Sequence, residues 1–199
     1  MKFPWEERLP YALLALLVLA VFYGFYFGKM LAQKRRGIQT RQIGRRKEAA
    51  LHRVEVLMGI ATLCAPAAQL LSIALGWSHL PAKARFTGFC IGMLGDAVFL
   101  LSVLCMKDSW RAGIPDRDKT ELITAGIYRY SRNPAFLGFD LMYAGVLLLY
   151  GNLLTLAASA FAVVMLHLQI LQEERFLEDT FGPVYTAYRK QVFRYFGRK

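Results

Sequence analysis

Cationic and aromatic side chains gather in one short segment that precedes an apolar run. The segment is GIYRYSRNPAFLGFD, residues 126–140, in which Arg129 and Arg132 alternate with tyrosine and phenylalanine rings. Such groups can form the interfacial belt that anchors a membrane protein at the lipid headgroups. They can also bind a polar cofactor next to lipid, because an arginine pairs with a carboxylate and a ring faces a cation. Both interpretations are open from this segment alone.

A second polar cluster, HLQILQEERFLEDTFGPVYTAYRKQVFR, occupies residues 167–194. At helical spacing His167, Gln169 and Glu173 fall on roughly one side, and Glu174 lies one residue further round. The helix macrodipole disfavours carboxylates at a carboxyl-terminal helix end, so a cationic or hydroxyl-rich partner would stabilise them. The alternative is an ordinary solvated helix end.

The elements that must position these clusters are membrane helices. The chain has 199 residues, is 56% hydrophobic and has a positive mean hydropathy, which is too apolar for an ordinary soluble domain. Its apolar segments approach the roughly 20 residues that cross a bilayer, and they lie at 11–28, 56–77, 86–106 and 134–172. The last is long enough for two helices that fold back at Gly151 and Asn152. The first segment is not followed by a small-residue cleavage site, so we expect it to be retained.

We therefore predict an all-α integral membrane protein with about five transmembrane helices. Residues 1–106 would form the first three helices, and 107–199 a loop, a helical hairpin and a helical tail, all within one transmembrane domain. Nine of the 25 lysines and arginines lie within 29–53, six within 107–132 and six within 172–199. The positive-inside rule places these segments in the cytoplasm, with the amino terminus outside and the carboxyl terminus inside. In this setting the net charge of +11 indicates contact with anionic membrane lipids and not with nucleic acid.

Few polar groups interrupt the apolar segments. Asp96, Asp140 and His167 are costly in lipid and need a buried partner or a polar cavity. Asp140 and His167 are candidates for a catalytic base; the alternative is that each hydrogen-bonds a neighbouring helix. The role of Asp96 is open. The cysteines Cys64, Cys90 and Cys105 lack metal-ligand spacing, so we predict inert packing, no disulfide framework and no metal site.

Taken in order, the polar segments resemble the isoprenylcysteine carboxyl methyltransferase family, whose near relatives are the phospholipid methyltransferases. The matching residues are Gly126, Tyr128, Arg132, Asn133, Pro134, Phe136, Gly138, Glu173, Glu174, Phe181, Gly182, Tyr185, Tyr188 and Arg194. The preceding SWRAG and TELITAG segments resemble bacterial members. The chain departs from the family pattern at Asn133, which replaces a histidine, and at Phe136, which replaces a tyrosine. The first two helices carry no part of the resemblance.

The resemblance implies an S-adenosylmethionine-dependent methyltransferase of the bacterial inner membrane, without a Rossmann fold. Its cofactor pocket would face the cytoplasm and a lipophilic acceptor would enter from the membrane. Carried over by position, the cofactor site would comprise Thr120, Glu121, Leu122, Ile123, Gly126, Tyr128, Arg132, Asn133, Pro134, Ala135, Phe136, Glu173 and Glu174. In this scheme Arg132 takes the carboxylate of the cofactor.

The acceptor is less closely defined by the resemblance. Members that methylate prenylcysteine carry an arginine where this chain has Gln169, and a neutral amide cannot replace a bidentate cation. We therefore expect another acceptor, such as a phospholipid amine, an isoprenoid or a small thiol, although Arg194 or Arg111 could supply a charge. A carboxylate or thiolate needs no general base, whereas an amine or hydroxyl would use one, with His167 or Asp140 as candidates.

Two other classes compete with an enzyme. A non-catalytic lipid-binding or scaffold protein would keep the family fold without binding S-adenosylmethionine. A channel or transporter would need Asp96, Asp140 and His167 along one aqueous path. The sequence carries no signal for an oligomeric state.

Overall fold

The computed structural model describes residues 4–40, 49–111 and 121–199 of the chain. In these ranges the α-helices are α1 Pro4–Arg35, α2 Ala49–Leu75, α3 Ala82–Met106, α4 Pro134–Leu149, α5 Leu153–Phe181 and α6 Pro183–Gln191. Short 3-10 turns follow α3 at Lys107–Ser109 and precede α4 at Gly126–Arg129. The described residues form no β-strand, and their only extended pairing is an isolated bridge between Val192 and Arg198.

Five of these helices are apolar, which confirms the predicted fold class. α1, α2, α3 and α5 are long and apolar enough to cross a membrane. α4 has 16 residues; at about 1.5 Å per residue it covers roughly 24 Å, less than the roughly 30 Å of a hydrocarbon core. α6 and the residues after it form the predicted helical tail. The orientation of the chain in the membrane stays a prediction.

The turn between α4 and α5 forms where the Gly151 and Asn152 pair predicted it. Asn152 caps α5: its side chain accepts a hydrogen bond from the Thr155 backbone nitrogen at 3.0 Å, and the Thr155 hydroxyl accepts one from the Asn152 nitrogen at 3.1 Å. Asn152 Nδ2 also donates to Ser72 Oγ at 2.9 Å and to the carbonyl of Trp77 at 3.0 Å. The cap therefore also ties the hairpin to the end of α2.

α3 and α4 cross with their backbones in close contact because glycines line both faces of the crossing. A Cβ at Gly95 of α3 would lie 2.6 Å from the Met142 backbone nitrogen, and one at Gly138 of α4 would lie 2.8 Å from Phe99 Cβ. Small residues allow such approaches between membrane helices. We did not predict this crossing, although Gly88, Gly92 and Gly95 recur at helical spacing in the sequence.

An aromatic cluster joins α1 to this pair. The Phe22 ring centroid lies 4.6 Å from those of both Phe99 and Phe139. Tyr26 meets the Trp110 ring edge-on at 5.5 Å, which extends the cluster past the end of α3. Edge-to-face pairs of this kind are favourable beyond their buried area. These ring contacts hold α1 against the crossing of α3 and α4.

The three cysteines are free in the structure, but two of them are not packed as predicted. Cys64 and Cys90 are exposed on the outer surface of the helices, and Cys105 is partly buried. The packing prediction was therefore wrong for Cys64 and Cys90, because an apolar segment says nothing about which helix face meets lipid.

Gly95→Ala is expected to lower the free energy of unfolding by about 1–3 kcal/mol, because the added methyl must displace the α4 backbone. Thermal unfolding of the detergent-purified protein, followed by circular dichroism, measures the change. Gly24→Ala is the matched control, since nothing lies within 4 Å of a Cβ built at Gly24. Equal melting temperatures for the two variants would contradict a close α3–α4 crossing.

Candidate functional site

A cavity of about 800 Å³ lies between α1, α2 and the ends of α3, α4 and α5. This volume is within the range of small-molecule sites. One end, near the carboxyl ends of α1, α3 and α5, is polar and is lined by Arg111, Glu121, Tyr128, Arg132, Asn133, Gln169, Glu173 and Tyr188. The other end is apolar and is lined mainly by side chains of α1 and α2. The cavity is therefore amphipathic along its length.

Most of the sequence-predicted cofactor residues meet at the polar end. Those that line the cavity are Glu121, Leu122, Ile123, Tyr128, Arg132, Asn133, Ala135, Phe136 and Glu173. The predicted substrate residues Gln169 and Arg111 line it as well. The predicted residues absent from the lining are Gly126, Pro134, Asp140, His167, Glu174 and Arg194. Thr120 lies outside the described residues.

Glu174 accepts hydrogen bonds on both carboxylate oxygens. Oε1 receives Arg132 Nη2 at 2.8 Å, Arg132 Nε at 3.1 Å and Asn133 Nδ2 at 3.0 Å. Oε2 receives Arg194 Nη2 at 2.9 Å and Nε at 3.1 Å. The side chains of Arg132 and Glu174 are only 6% and 7% exposed. Charge-assisted bonds from two guanidinium groups satisfy this buried carboxylate, and we call the arrangement the Glu174 latch.

The Glu174 latch fastens the carboxyl-terminal segment, residues 192–199, to the start of α4. Arg132 Nη1 donates to the carbonyls of Arg189 and Val192, each at 3.1 Å. The Arg132 backbone nitrogen donates to the carbonyl of Phe193 at 3.1 Å, and Asn133 Nδ2 to that of Arg194 at 3.2 Å. Arg132 is therefore committed to chain contacts, an arrangement different from its expected role as the partner of a cofactor carboxylate.

The neighbouring carboxylate, Glu173, faces the cavity and not the Glu174 latch. It accepts a hydrogen bond from Gln169 Nε2 at 3.2 Å. Successive residues of a helix are about 100° apart, which is how two adjacent glutamates reach different surroundings. The Glu173 carboxylate thus lies on the cavity wall, whereas the Glu174 carboxylate stabilises the fold.

Two phenols complete the polar wall. The Tyr128 hydroxyl lies 3.1 Å from Ser102 Oγ, and the Tyr188 hydroxyl donates to the carbonyl of Tyr128 at 2.6 Å. Burial raises the pKa of both tyrosines, and the charge of Glu173 raises that of Tyr128 further. Both side chains therefore stay protonated at physiological pH and act as hydrogen-bonding phenols, not as bases.

Gly126, next to this wall, has a backbone conformation and a close contact that favour glycine. Its φ of +61° lies in the left-handed region that favours glycine. A Cβ there would also lie 2.5 Å from Cys105 Sγ. Gly126 thus allows the 3-10 turn that carries Tyr128 to pack closely on α3.

The two candidate bases lie away from the cavity lining. His167 Nδ1 is 2.6 Å from the Tyr195 hydroxyl, and the two rings stack at 6.0 Å. Asp140 Oδ1 is buried and has no hydrogen-bond partner in the described part of the chain, and the same holds for both oxygens of Asp96. A catalytic base must come within hydrogen-bond reach of the proton that it removes. The cavity brings neither Asp140 nor His167 to its surface.

The sequence-based predictions missed the wall that α1 and α2 provide. Tyr23, Tyr26, Phe27 and Met30 of α1 line the cavity together with α2 side chains from Met58 onward. The signal was present, because these α1 residues recur at i, i+3, i+4 and i+7 on one helix face. In a transmembrane segment, however, such a stripe is indistinguishable from ordinary helix packing.

The sequence of the chain matches a known family model and several named relatives. The phospholipid methyltransferase family model matches residues 87–184, which include most of α3 and all of α4 and α5. A protein-S-isoprenylcysteine O-methyltransferase of Schizosaccharomyces pombe is 39% identical over 72 residues. Probable protein-S-isoprenylcysteine O-methyltransferases of Oryza sativa subsp. indica and subsp. japonica are each 30% identical over 112 residues. These matches support the isoprenylcysteine carboxyl methyltransferase family for this chain.

The family model and these relatives confirm the resemblance expected from the sequence. The yeast alignment covers 36% of this chain and 30% of the yeast protein, and the rice alignments cover 54% of this chain and 58% of each rice protein. The chain thus spans at most 58% of the length of these relatives. α1 and α2, which form the apolar cavity wall, lie outside the segment that the family model matches.

Glu174→Gln is expected to destabilise the protein by about 3–5 kcal/mol, because it leaves the buried Arg132 guanidinium without its counter-charge. Thermal unfolding reports the loss, and trypsin cleavage after Arg194 reports release of the carboxyl-terminal segment. The matched control is Glu178→Gln, which removes an exposed ion pair with Arg189 and should cost less than about 1 kcal/mol. If both variants melt and cleave like the parent, the Glu174 latch does not hold the segment.

Proposed function

We propose that the chain transfers a methyl group from S-adenosylmethionine to a lipophilic acceptor at the cytoplasmic face of a bacterial inner membrane. The observation that carries the proposal is the amphipathic cavity in a chain that matches this methyltransferase family. Its polar end suits the cofactor and its apolar end suits an acceptor from the bilayer. The activities printed for the yeast and rice relatives support methyl transfer as the reaction type.

The residues of the polar end fit S-adenosylmethionine chemically. Glu121 and Glu173 offer carboxylates for ribose hydroxyls or the ammonium group, and Arg111 offers a cation for the carboxylate. The rings of Trp110 and Phe136 offer faces for a sulfonium cation. With Arg132 held by Glu174, Arg111 replaces it as the proposed partner of the cofactor carboxylate.

The apolar end reaches the surface of the molecule that faces lipid. Leu16 and Phe27 of α1 and Leu63 and Leu70 of α2 line the cavity and are also exposed, Leu63 by 72%. A residue that meets both a cavity and the outer surface lies at an opening between them. A lipophilic molecule can therefore enter from the bilayer between α1 and α2, where its apolar part stays out of water.

Bound S-adenosylmethionine supplies an activated methyl group on a sulfonium sulfur. The contribution of the chain is to orient the acceptor and to keep water away. The buried rings of Phe99 and Trp110, with Tyr26 and Phe139, form the dry wall beside the polar end. Asp140 and His167 lie off the cavity surface, so we propose that transfer proceeds without them.

The proposed cytoplasmic location follows from the distribution of charge. The polar end of the cavity lies beside the basic end of α1, with Lys34 and Arg35, and beside the basic tail after α5. The positive-inside rule assigns such segments to the cytoplasm. S-adenosylmethionine would then be taken from the compartment that this end of the bundle faces.

Glu173→Gln is expected to weaken S-adenosylmethionine binding by about tenfold or more, because it removes a charged hydrogen-bond acceptor from the polar wall. Calorimetric titration of the detergent-purified protein measures the affinity. Glu178→Gln, on the same helix and outside the cavity lining, should bind like the parent. Unchanged affinity in Glu173→Gln would remove Glu173 from the site.

Transfer itself is tested by incubating the parent protein with S-adenosylmethionine labelled in the methyl group and bacterial membrane lipids. Label is expected to appear in the organic extract and to depend on intact Glu173. Binding without labelled lipid would exclude a lipid acceptor among those supplied. A folded protein that binds no S-adenosylmethionine would support the alternative, a non-catalytic lipid-binding or scaffold protein that keeps the family fold.

A further inference from the structure

Gln169, a residue of the cavity lining, carries a buried side-chain carbonyl with no hydrogen-bond partner among the described residues. The residue is fully buried and lines the cavity. Its Nε2 lies 3.2 Å from Glu173 Oε1, and because a carboxylate only accepts hydrogen bonds, this contact fixes which end of the amide faces Glu173. The other end, Oε1, has no hydrogen-bond partner among the described residues. A buried carbonyl in this state is satisfied by a ligand that donates a hydrogen bond.

The charges near Gln169 oppose an anionic ligand. Among the described lining residues the cations are Arg111 and Arg132, and Arg132 is bound to Glu174 and to two backbone carbonyls. Glu173 is in direct contact with the Gln169 amide. A carboxylate placed against Gln169 would therefore meet a carbonyl oxygen and a neighbouring carboxylate, both of which repel it.

The remaining candidate cation is also committed elsewhere. Arg194, which the sequence suggested as a source of charge for the acceptor, donates through Nε and Nη2 to Glu174 Oε2. It does not line the cavity. Arg111, the proposed partner of the cofactor carboxylate, also donates through Nη1 to the carbonyl of Trp110 at 3.0 Å, next to the end of α3.

We propose that Gln169 sets acceptor specificity: the site takes a lipophilic molecule whose nucleophilic atom carries hydrogen, and it discriminates against carboxylates. An amine, hydroxyl or thiol X–H would donate to Gln169 Oε1 and so hold X at the polar end of the cavity. The inference rests on the proposed function for its chemistry.

In transfer, a lone pair of X forms the bond to the methyl carbon as the carbon–sulfur bond breaks. The sulfonium becomes a neutral thioether, and the proton of X passes to the Glu173 carboxylate, which lies beside Gln169 on the cavity wall.

The test uses three probes with one chain length, n-dodecanol, n-dodecylamine and dodecanoate, which differ in the headgroup. Competition binding to the detergent-purified parent protein is expected to favour dodecanol and dodecylamine over dodecanoate by about tenfold. Gln169→Arg is expected to reverse this order, because the introduced guanidinium pairs with the carboxylate. Gln169→Leu, which keeps approximate size and removes the carbonyl, should weaken the preference without reversing it, because Glu173 still repels dodecanoate.

Gln172 provides a matched control on the same helix. Its Oε1 is also buried and without a hydrogen-bond partner in the described residues, yet Gln172 does not line the cavity. Gln172→Arg and Gln172→Leu should therefore keep the parental order of the three probes. Dodecanoate binding to the parent as tightly as dodecanol would overturn the inference, and so would a Gln169→Leu variant with parental preference.

Titration of S-adenosylmethionine into the same preparations separates the two proposals. If the protein binds the cofactor but its headgroup preference does not depend on Gln169, the specificity role is wrong and the methyltransferase proposal is retained. A Gln169-dependent preference in folded protein that binds no cofactor would defeat the methyltransferase proposal and leave Gln169 as the determinant of ligand class.

Discussion

The buried carboxylate of Glu174 organises the polar end of the molecule. It draws together Arg132 before α4, Arg194 after α6 and its own position on α5, three places far apart in the sequence. The buried charges of Arg132 and Glu174 stabilise each other, because an unpaired charge in a low-dielectric setting is strongly unfavourable. Arg132 also lines the cavity, together with Glu173 and Gln169. The geometry of the polar wall thus depends on a carboxylate that is not itself part of the lining.

The two walls of the cavity have different physical origins. The polar wall is built from the segment that the family model matches, where close glycine contacts fix α3 against α4. The apolar wall comes from α1 and α2, which pack through side chains. A backbone-to-backbone crossing has little freedom to adjust, whereas flexible side chains such as Met30 and Met58 can repack around different ligands. Under the proposed function, the more adaptable wall would decide which acceptor shapes fit the cavity.

Local signals predicted the fold, and contacts distant in sequence decided the site. The hairpin at Asn152 follows from turn chemistry and a cap within four residues, so it could be read directly. The different surroundings of Glu173 and Glu174 could not, because they depend on where Arg132 and Arg194 arrive in space. The same limit explains why Arg132 was expected to bind a cofactor. A charged residue in a motif is expected to have a structural or functional role. Its interaction partner, however, depends on packing against residues outside the motif.

The shortness of α4 has a consequence for the surrounding bilayer. A helix several ångströms shorter than the hydrocarbon core is accommodated by local thinning of the bilayer or by polar groups drawn below the headgroup level. Pro134 starts α4 beside the Glu174 latch, so a bilayer thinned at that end of α4 would bring its headgroups close to the polar end of the cavity. A lipid headgroup next to α4 would then meet the cavity without leaving its own leaflet. Hydrophobic mismatch, more than any large motion of the protein, would bring a membrane-bound acceptor level with the reacting groups.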